Sequence, residues 1–199
     1  MKITRGPYGS TPIDDLSGLM PSHIKTKEEL DLWESENITE AYLNYFSKPE
    51  KTRLVPESIK KIHKDMFGST WTWAGDFRKV NLNIGVEWHS IPVEVKKLTD
   101  DISYWSSNKH LSVFEQSIRV HHRLAVIHPF KNGNGRHARF VSDLILFNYG
   151  EKLPSWPDDK LIESTDVRKR YINALKDADK GNYCSLEVFT QGLIKGVSN

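Results

Sequence analysis

Apolar residues recur at Leu30, Trp33, Ile38, Ala41 and Tyr45, behind a capping box formed by Thr26 and Glu29. That period predicts an amphipathic helix over 26–47. Ile59, Ile62 and Met66 share one face of a second helix, with Pro56 in its first turn and Gly68 just past its end. Pro92 opens a third, with Val95, Leu98, Ile102 and Trp105 inward. Ser112 and Glu115 cap a fourth, which ends at or before His128 because Pro129 disfavours helix in the residue before it. A fifth runs from about Asn134 to Tyr149, stopped by Gly150, and further helices follow over Thr165–Lys180 and from Ser185 to about Leu193. Only Lys79–Ile84 alternates as a strand does, through Val80, Leu82 and Ile84, and Trp88–Ile91 reads as its return around Gly85. The pattern predicts a mainly α single domain with one small β-hairpin, preceded by an irregular arm over 1–25.

Composition narrows the function classes. Lys and Arg number 28 against 26 Asp and Glu, and this small excess is spread along the chain, which argues against a nucleic-acid surface. With one cysteine, Cys184, no intrachain disulfide forms, and beside Tyr183 ahead of an apolar helix it reads as a small packing residue. The N-terminus shows no apolar leader, and no apolar run approaches the ~18 residues of a membrane span. A cytoplasmic location without membrane association is the expectation.

The chemistry concentrates in His128-Pro129-Phe130-Lys131-Asn132-Gly133-Asn134-Gly135-Arg136, with Arg139 one turn on. A helix stops, a loop with two Asn-Gly pairs follows, and a new helix begins with its first amides lacking helical partners. Such an end attracts anions through its N–H groups and dipole. Gly133 and Gly135 permit positive φ and close approach of backbone to a phosphate. Arg136 and Arg139 share one helix face and suit several phosphate groups. His128 is the side chain there able to accept a proton near neutral pH, so a base facing a phosphate cradle points to phosphoryl or nucleotidyl transfer. The preceding helix end raises its pKa, and the following N-terminus and arginines lower it. Taken singly, Asn-Gly pairs are turns and His-Pro is a helix stop.

Together these residues resemble the motif HPFx[D/E]GNGRxxR of the Fic family. Eight fixed positions match: His128, Pro129, Phe130, Gly133, Asn134, Gly135, Arg136 and Arg139. Trp73-Ala74-Gly75 with Phe77-Arg78 and Ile91-Pro92 resembles the family's flap region, and Arg170-Tyr171 with Ala178-Asp179 its C-terminal helix. The arm and first helix resemble the "mobile mystery protein B" branch. The resemblance implies a Fic-type helical bundle over 26–199, with a core of about 54–195, a hairpin flap and a protein adenylyltransferase activity. His128 would activate a Ser, Thr or Tyr hydroxyl of a target protein, and Phe130 would anchor the loop. The amides of Gly133–Gly135, with Asn134 and Arg136, would hold the α- and β-phosphates of ATP. Arg139 would reach the γ-phosphate, and the flap at Asn81, Leu82, Asn83, Ile84 and Trp88 would hold the target as an added strand.

Two positions depart from the family pattern. Asn132 stands where a carboxylate usually holds Mg²⁺, and an amide oxygen lacks the charge that this hard cation prefers. Metal use, rate and nucleotide choice are open on that account. The family's inhibitory pattern [S/T]xxxE[G/N] finds its only Glu before Gly or Asn at Glu36-Asn37, with Leu32 where Ser or Thr is expected. An inhibitory Glu36 paired with Arg139 and a plain surface Glu36 are both open. Rival readings are Doc-like transfer of the terminal phosphate, which goes with a changed GNGR portion, and a non-catalytic nucleotide- or protein-binding domain. A zinc site on His121, His122, His128 and His137 follows no common ligand spacing.

Overall fold

The computed structural model describes residues 16–47, 51–157, 161 and 165–194. Seven α-helices lie among them: α1 Lys27–Phe46, α2 Pro56–Phe67, α3 Ile91–Asn108, α4 Val113–Ile127, α5 Asn134–Asn148, α6 Asp166–Asp179 and α7 Cys184–Ile194. The start signals act as the sequence predicts. Thr26 Oγ1 accepts the Glu29 amide at 3.1 Å while Glu29 returns to the Thr26 amide at 2.9 Å, and Ser112 and Glu115 repeat the exchange at α4. Each such cap satisfies amides that the first turn leaves without partners and contributes about 1 kcal/mol.

α5 is the central helix. Ten of its residues from His137 to Leu146 are buried in an unbroken run, as befits a helix surrounded on all sides. The main core gathers α1 to α5, with Leu30, Ile59, Ile62, Leu98 and Leu144 fully inaccessible. Each such side chain contributes roughly 1.5–3 kcal/mol. A second cluster, around Ile118, Tyr171, Ala174 and Leu186, fastens α6 and α7 to the far face of α4. This arrangement holds the α4–α5 loop between two packed helix ends.

The first fifteen residues of the arm lie outside the described residues. The rest of the arm docks: Met20 N donates to Thr70 O and Thr72 N to Gly18 O, both at 2.9 Å, around a single bridge between Leu19 and Trp71. Cys184, expected to pack, is exposed at the start of α7.

The expected β-hairpin is not confirmed. Among the described residues there is no strand, and 79–87 runs as an irregular excursion with bends at 79–80 and 83–86 that ends in a 3₁₀ turn at Trp88–Ser90. The reason is that side chains take the groups a ladder would use. Arg78 Nη1 donates to Val80 O at 2.8 Å and Nη2 to Val86 O, so one guanidinium ties both arms. Asn81 Oδ1 accepts the Trp88 amide at 2.9 Å, and its Nδ2 donates to Glu87. The period-2 pattern persists without pairing: Asn81 and Asn83 are exposed while Leu82 and Ile84 are half-buried.

Candidate active site

The loop between α4 and α5 is built from both ends inward. His128 caps α4 with φ 52° and ψ 59°, one of two non-glycine residues with positive φ among those described. That conformation costs roughly 1–2 kcal/mol for an L residue. It is held by the His128 amide on Leu124 O at 3.0 Å and by Arg78 Nε on the His128 carbonyl at 2.8 Å. Arg78 is itself buried, and its own amide donates to Pro129 O at 2.9 Å. A cation on the last carbonyls of α4 satisfies oxygens that helix geometry leaves open.

His128 is 8% exposed, and burial drives its pKa down to about 4. The expected contest between helix ends is therefore decided by desolvation, with nearby Arg78 adding to the fall. The ring is neutral at pH 7. Nδ1 lies 3.4 Å from Ala125 O, and since a carbonyl only accepts, this contact belongs to the tautomer protonated at Nδ1 with its lone pair on Nε2.

Phe130 sits inaccessible in the core, stacked on His63 at 3.7 Å and edge-on to His137 at 5.0 Å. Asn134 closes the loop: its Oδ1 accepts the Phe130 amide at 2.9 Å and its Nδ2 donates to Phe130 O at 2.8 Å. Its side chain, expected beside the phosphates, is instead consumed in this clamp. Gly133 caps α5 with φ 75°, and a Cβ there would meet Phe67 at 2.6 Å. Close approach is thus required by the core beneath the loop. Gly135 differs, since a Cβ would meet only Arg139 Nη1, at 3.7 Å, with space beyond.

The first α5 backbone bond runs from His137 N to Gly133 O, so the amides of Asn134, Gly135 and Arg136 form the helix's open end. The two motif arginines part company above it. Arg136 Nη1 pairs with Glu34 Oε2 at 2.7 Å, and its guanidinium lies over Phe67. Arg139 is buried against Trp156, whose Nε1 donates to Asp143. A cavity of 180 Å³ opens between α1 and α5, bordered by both arginines with Ser35 and Thr39.

Glu36 is exposed, on the other side of α1 from this ion pair. Glu34 is the α1 carboxylate that reaches the motif, at 1% exposure, and it meets Arg136, not Arg139. Its second oxygen accepts Trp71 Nε1 at 2.6 Å. The signal was present in the sequence, because Glu34 falls on the buried stripe Leu30-Glu34-Asn37-Ala41, and a charge there needs a partner. His63 was equally legible, on the buried face of α2 with Ile59, Ile62 and Met66. Nothing in the spacing marks Arg78.

The loop does not fit a resident Mg²⁺. Asn132 Oδ1, in the position of the expected carboxylate, turns back to accept the Gly133 amide at 2.6 Å. Among the described residues no group of three or more His, Cys, Asp or Glu side chains gathers to hold a metal. His121 and His122 instead meet Tyr171 at 2.7 Å and Asp179 at 2.9 Å.

A glycine-bordered loop that opens the central helix, with His128 at its other end and Arg136 and Arg139 above it, defines a helical bundle built around a histidine–arginine loop. Residues 53–146 match the family model described as the Fic/DOC family. A relative named "probable protein adenylyltransferase" from Aquifex aeolicus is 33% identical over 102 residues, covering 51% of this chain and 29% of the relative. The protein adenylyltransferase Fic of Drosophila erecta is 26% identical over 145 residues, or 71% of this chain and 28% of that protein. The chain therefore matches less than a third of the length of either. The crystal structure of BepC from Bartonella tribocorum with bound AMPPNP shares the fold, at a TM-score of 0.67 and 20% identity over 89% of this chain and 92% of that one. Among the described residues no helix is long and apolar enough to cross a membrane.

Proposed function

We propose that this chain is a protein adenylyltransferase that moves AMP from ATP to a Ser, Thr or Tyr hydroxyl of a target protein. The observation that carries the reading is the loop itself, which joins a neutral His128, with its lone pair on Nε2, to the open amide end of α5 in one short segment. The names of the two adenylyltransferase relatives favour nucleotidyl over terminal-phosphate transfer.

In this mechanism Nε2 of His128 takes the hydroxyl proton as the oxygen attacks the α-phosphorus. The bond from that phosphorus to the bridging oxygen breaks, and pyrophosphate leaves with its electron pair. AMP remains on the target as a phosphodiester, and the imidazolium returns its proton to solvent. The α5 amides and the two arginines meet the charge on the phosphates before and after the bond breaks. The strip at Asn81–Ile84, with Asn81 and Asn83 exposed, holds the target backbone together with Trp88. Arg136 joins this set when Glu34 releases it, so α1 acts as a brake. No step is routed through a metal.

ATP labelled at the α- or the γ-phosphate, incubated with the protein and a cell lysate, tests the reading. Protein-bound label from the α position alone is expected. Label from γ alone means phosphotransfer, and none from either leaves a binding domain.

A further inference from the structure

His63 lies on α2, outside the motif, fully buried beneath the active loop. Three separate stretches converge on its ring. The Gly75 amide donates to Nδ1 at 3.0 Å, the carbonyl of Asn132 lies 3.0 Å from Nε2, and Phe130 stacks on its face at 3.7 Å and 20°. An amide N–H only donates and a carbonyl only accepts, so the two bonds fix the chemistry of the ring. Nδ1 must carry the lone pair and Nε2 the proton. The imidazolium would set an N–H against the Gly75 amide, and the other tautomer would lose both bonds. Burial favours the same neutral state.

The partner in the loop is the consequential one. Asn132 immediately precedes Gly133, whose φ of 75° turns the chain into α5. Holding the Asn132 carbonyl toward the core fixes the peptide plane between Asn132 and Gly133, because carbonyl and following amide share that plane and point opposite ways. The Gly133 N–H is thereby aimed away from His63, toward the side where Asn132 Oδ1 now accepts it. Gly75, at the other pole, is locked in place: its φ is 84°, and a Cβ would meet Lys64 Cβ at 2.8 Å. The ring is thus a strut between a fixed turn and the loop.

We infer that His63 is a positioning residue for nucleotide binding, a strut whose Nε2–H sets the orientation of the Asn132–Gly133 peptide and so the direction in which the open amides of Asn134, Gly135 and Arg136 face the donor's phosphates. The inference rests on reading the loop as the phosphate cradle. It differs from a packing role in one respect: it depends on a donor at the Nε2 position, and ring volume alone does not supply it.

Two substitutions separate these. A glutamine places its amide nitrogen near Nε2, and an asparagine places its amide near Nδ1. ATP affinity is measured by calorimetry beside the thermal midpoint of each variant. His63→Gln keeps affinity within about twofold of the parent, and His63→Asn weakens it about tenfold at a similar midpoint, the loss expected for one hydrogen bond that holds a binding group. Equal affinities in two folded variants overturn the inference and leave the cradle reading standing. A parent protein that binds no ATP overturns the cradle reading, and the inference falls with it. Should either variant fail to fold, the ring nitrogens of the parent decide: ¹⁵N spectra at pH 7 must show His63 neutral and protonated at Nε2, and a ring protonated at Nδ1 overturns the inference.

Discussion

Glu34 on α1 and Arg136 on α5 form a 2.7 Å ion pair that joins residues far apart in sequence at the mouth of the α4–α5 loop. The carboxylate is almost inaccessible and its other oxygen holds Trp71, so both oxygens are hydrogen-bonded. Breaking a buried ion pair by removing one partner is costly, and on the proposed function this pair keeps one of the two motif arginines from an incoming phosphate.

Glu34→Gln retains an acceptor for Trp71 and removes the charge that holds Arg136. ATP binding and AMP transfer rise several-fold in this variant, at a stability cost on the order of 2 kcal/mol. Glu36→Gln, at an exposed position, changes neither. Titration calorimetry and label incorporation for both variants check this, and equal behaviour of the pair contradicts the brake.

Stability depends on pH through the buried histidines. Folded pKa values are driven down to about 3 for His121 and about 4 for His128 and His137, from an ordinary value of 6.5, chiefly by burial. Between those limits the unfolded chain binds more protons, so stability is fully present above 6.5 and is lost as pH falls toward 4. Each ring contributes up to ~1.4 kcal/mol per pH unit. Urea unfolding at pH 5 therefore gives a stability on the order of 5 kcal/mol below that at pH 7.5. Matching curves at the two pH values contradict the neutral, buried state of these rings.

The amide at 132 bears on metal use. Nucleotide affinity of the parent is insensitive to EDTA, because Asn132 Oδ1 is directed at Gly133 N and lacks charge. Asn132→Asp makes affinity rise with added Mg²⁺. A parent whose affinity collapses in EDTA contradicts the misfit of the loop to a cation.

The two loop glycines separate structure from binding. Gly133→Ala forces a Cβ within 2.6 Å of Phe67 at a positive φ, and lowers stability by about 2 kcal/mol or more. Gly135→Ala sits in helical backbone with room around it, so its stability holds or rises by up to ~1 kcal/mol. The added methyl does enter the space beside Arg139 and weakens nucleotide binding. Thermal melts and ATP titrations of both variants test the contrast.

Much of this was legible beforehand. Thr26, Ser112 and Pro129 set helix ends through local chemistry that acts within a few residues, and α1 and α4 begin and stop where those signals stand. The loop's location followed from the same signals. What was not legible depends on contacts between distant segments. The alternation at Lys79–Ile84 was real, but Arg78 rises between its arms and takes the carbonyls of Val80 and Val86, so no ladder forms. Asn134 carries the motif's polar side chain, yet its direction was set by the Phe130 backbone. Glu36 fitted a pattern of letters, and Glu34 fitted the buried face of a helix; the helix geometry prevailed.

His128→Ala tests the central claim most directly, in the background of Glu34→Gln so that the brake is off. α-labelled ATP is offered with a lysate, and ATP affinity is measured on the same preparation. The base acts on the attacking hydroxyl and not on the bound phosphates, so label transfer is lost by about a hundredfold or more while affinity stays within about twofold. Comparable transfer with and without the His128 imidazole contradicts its assignment as the base.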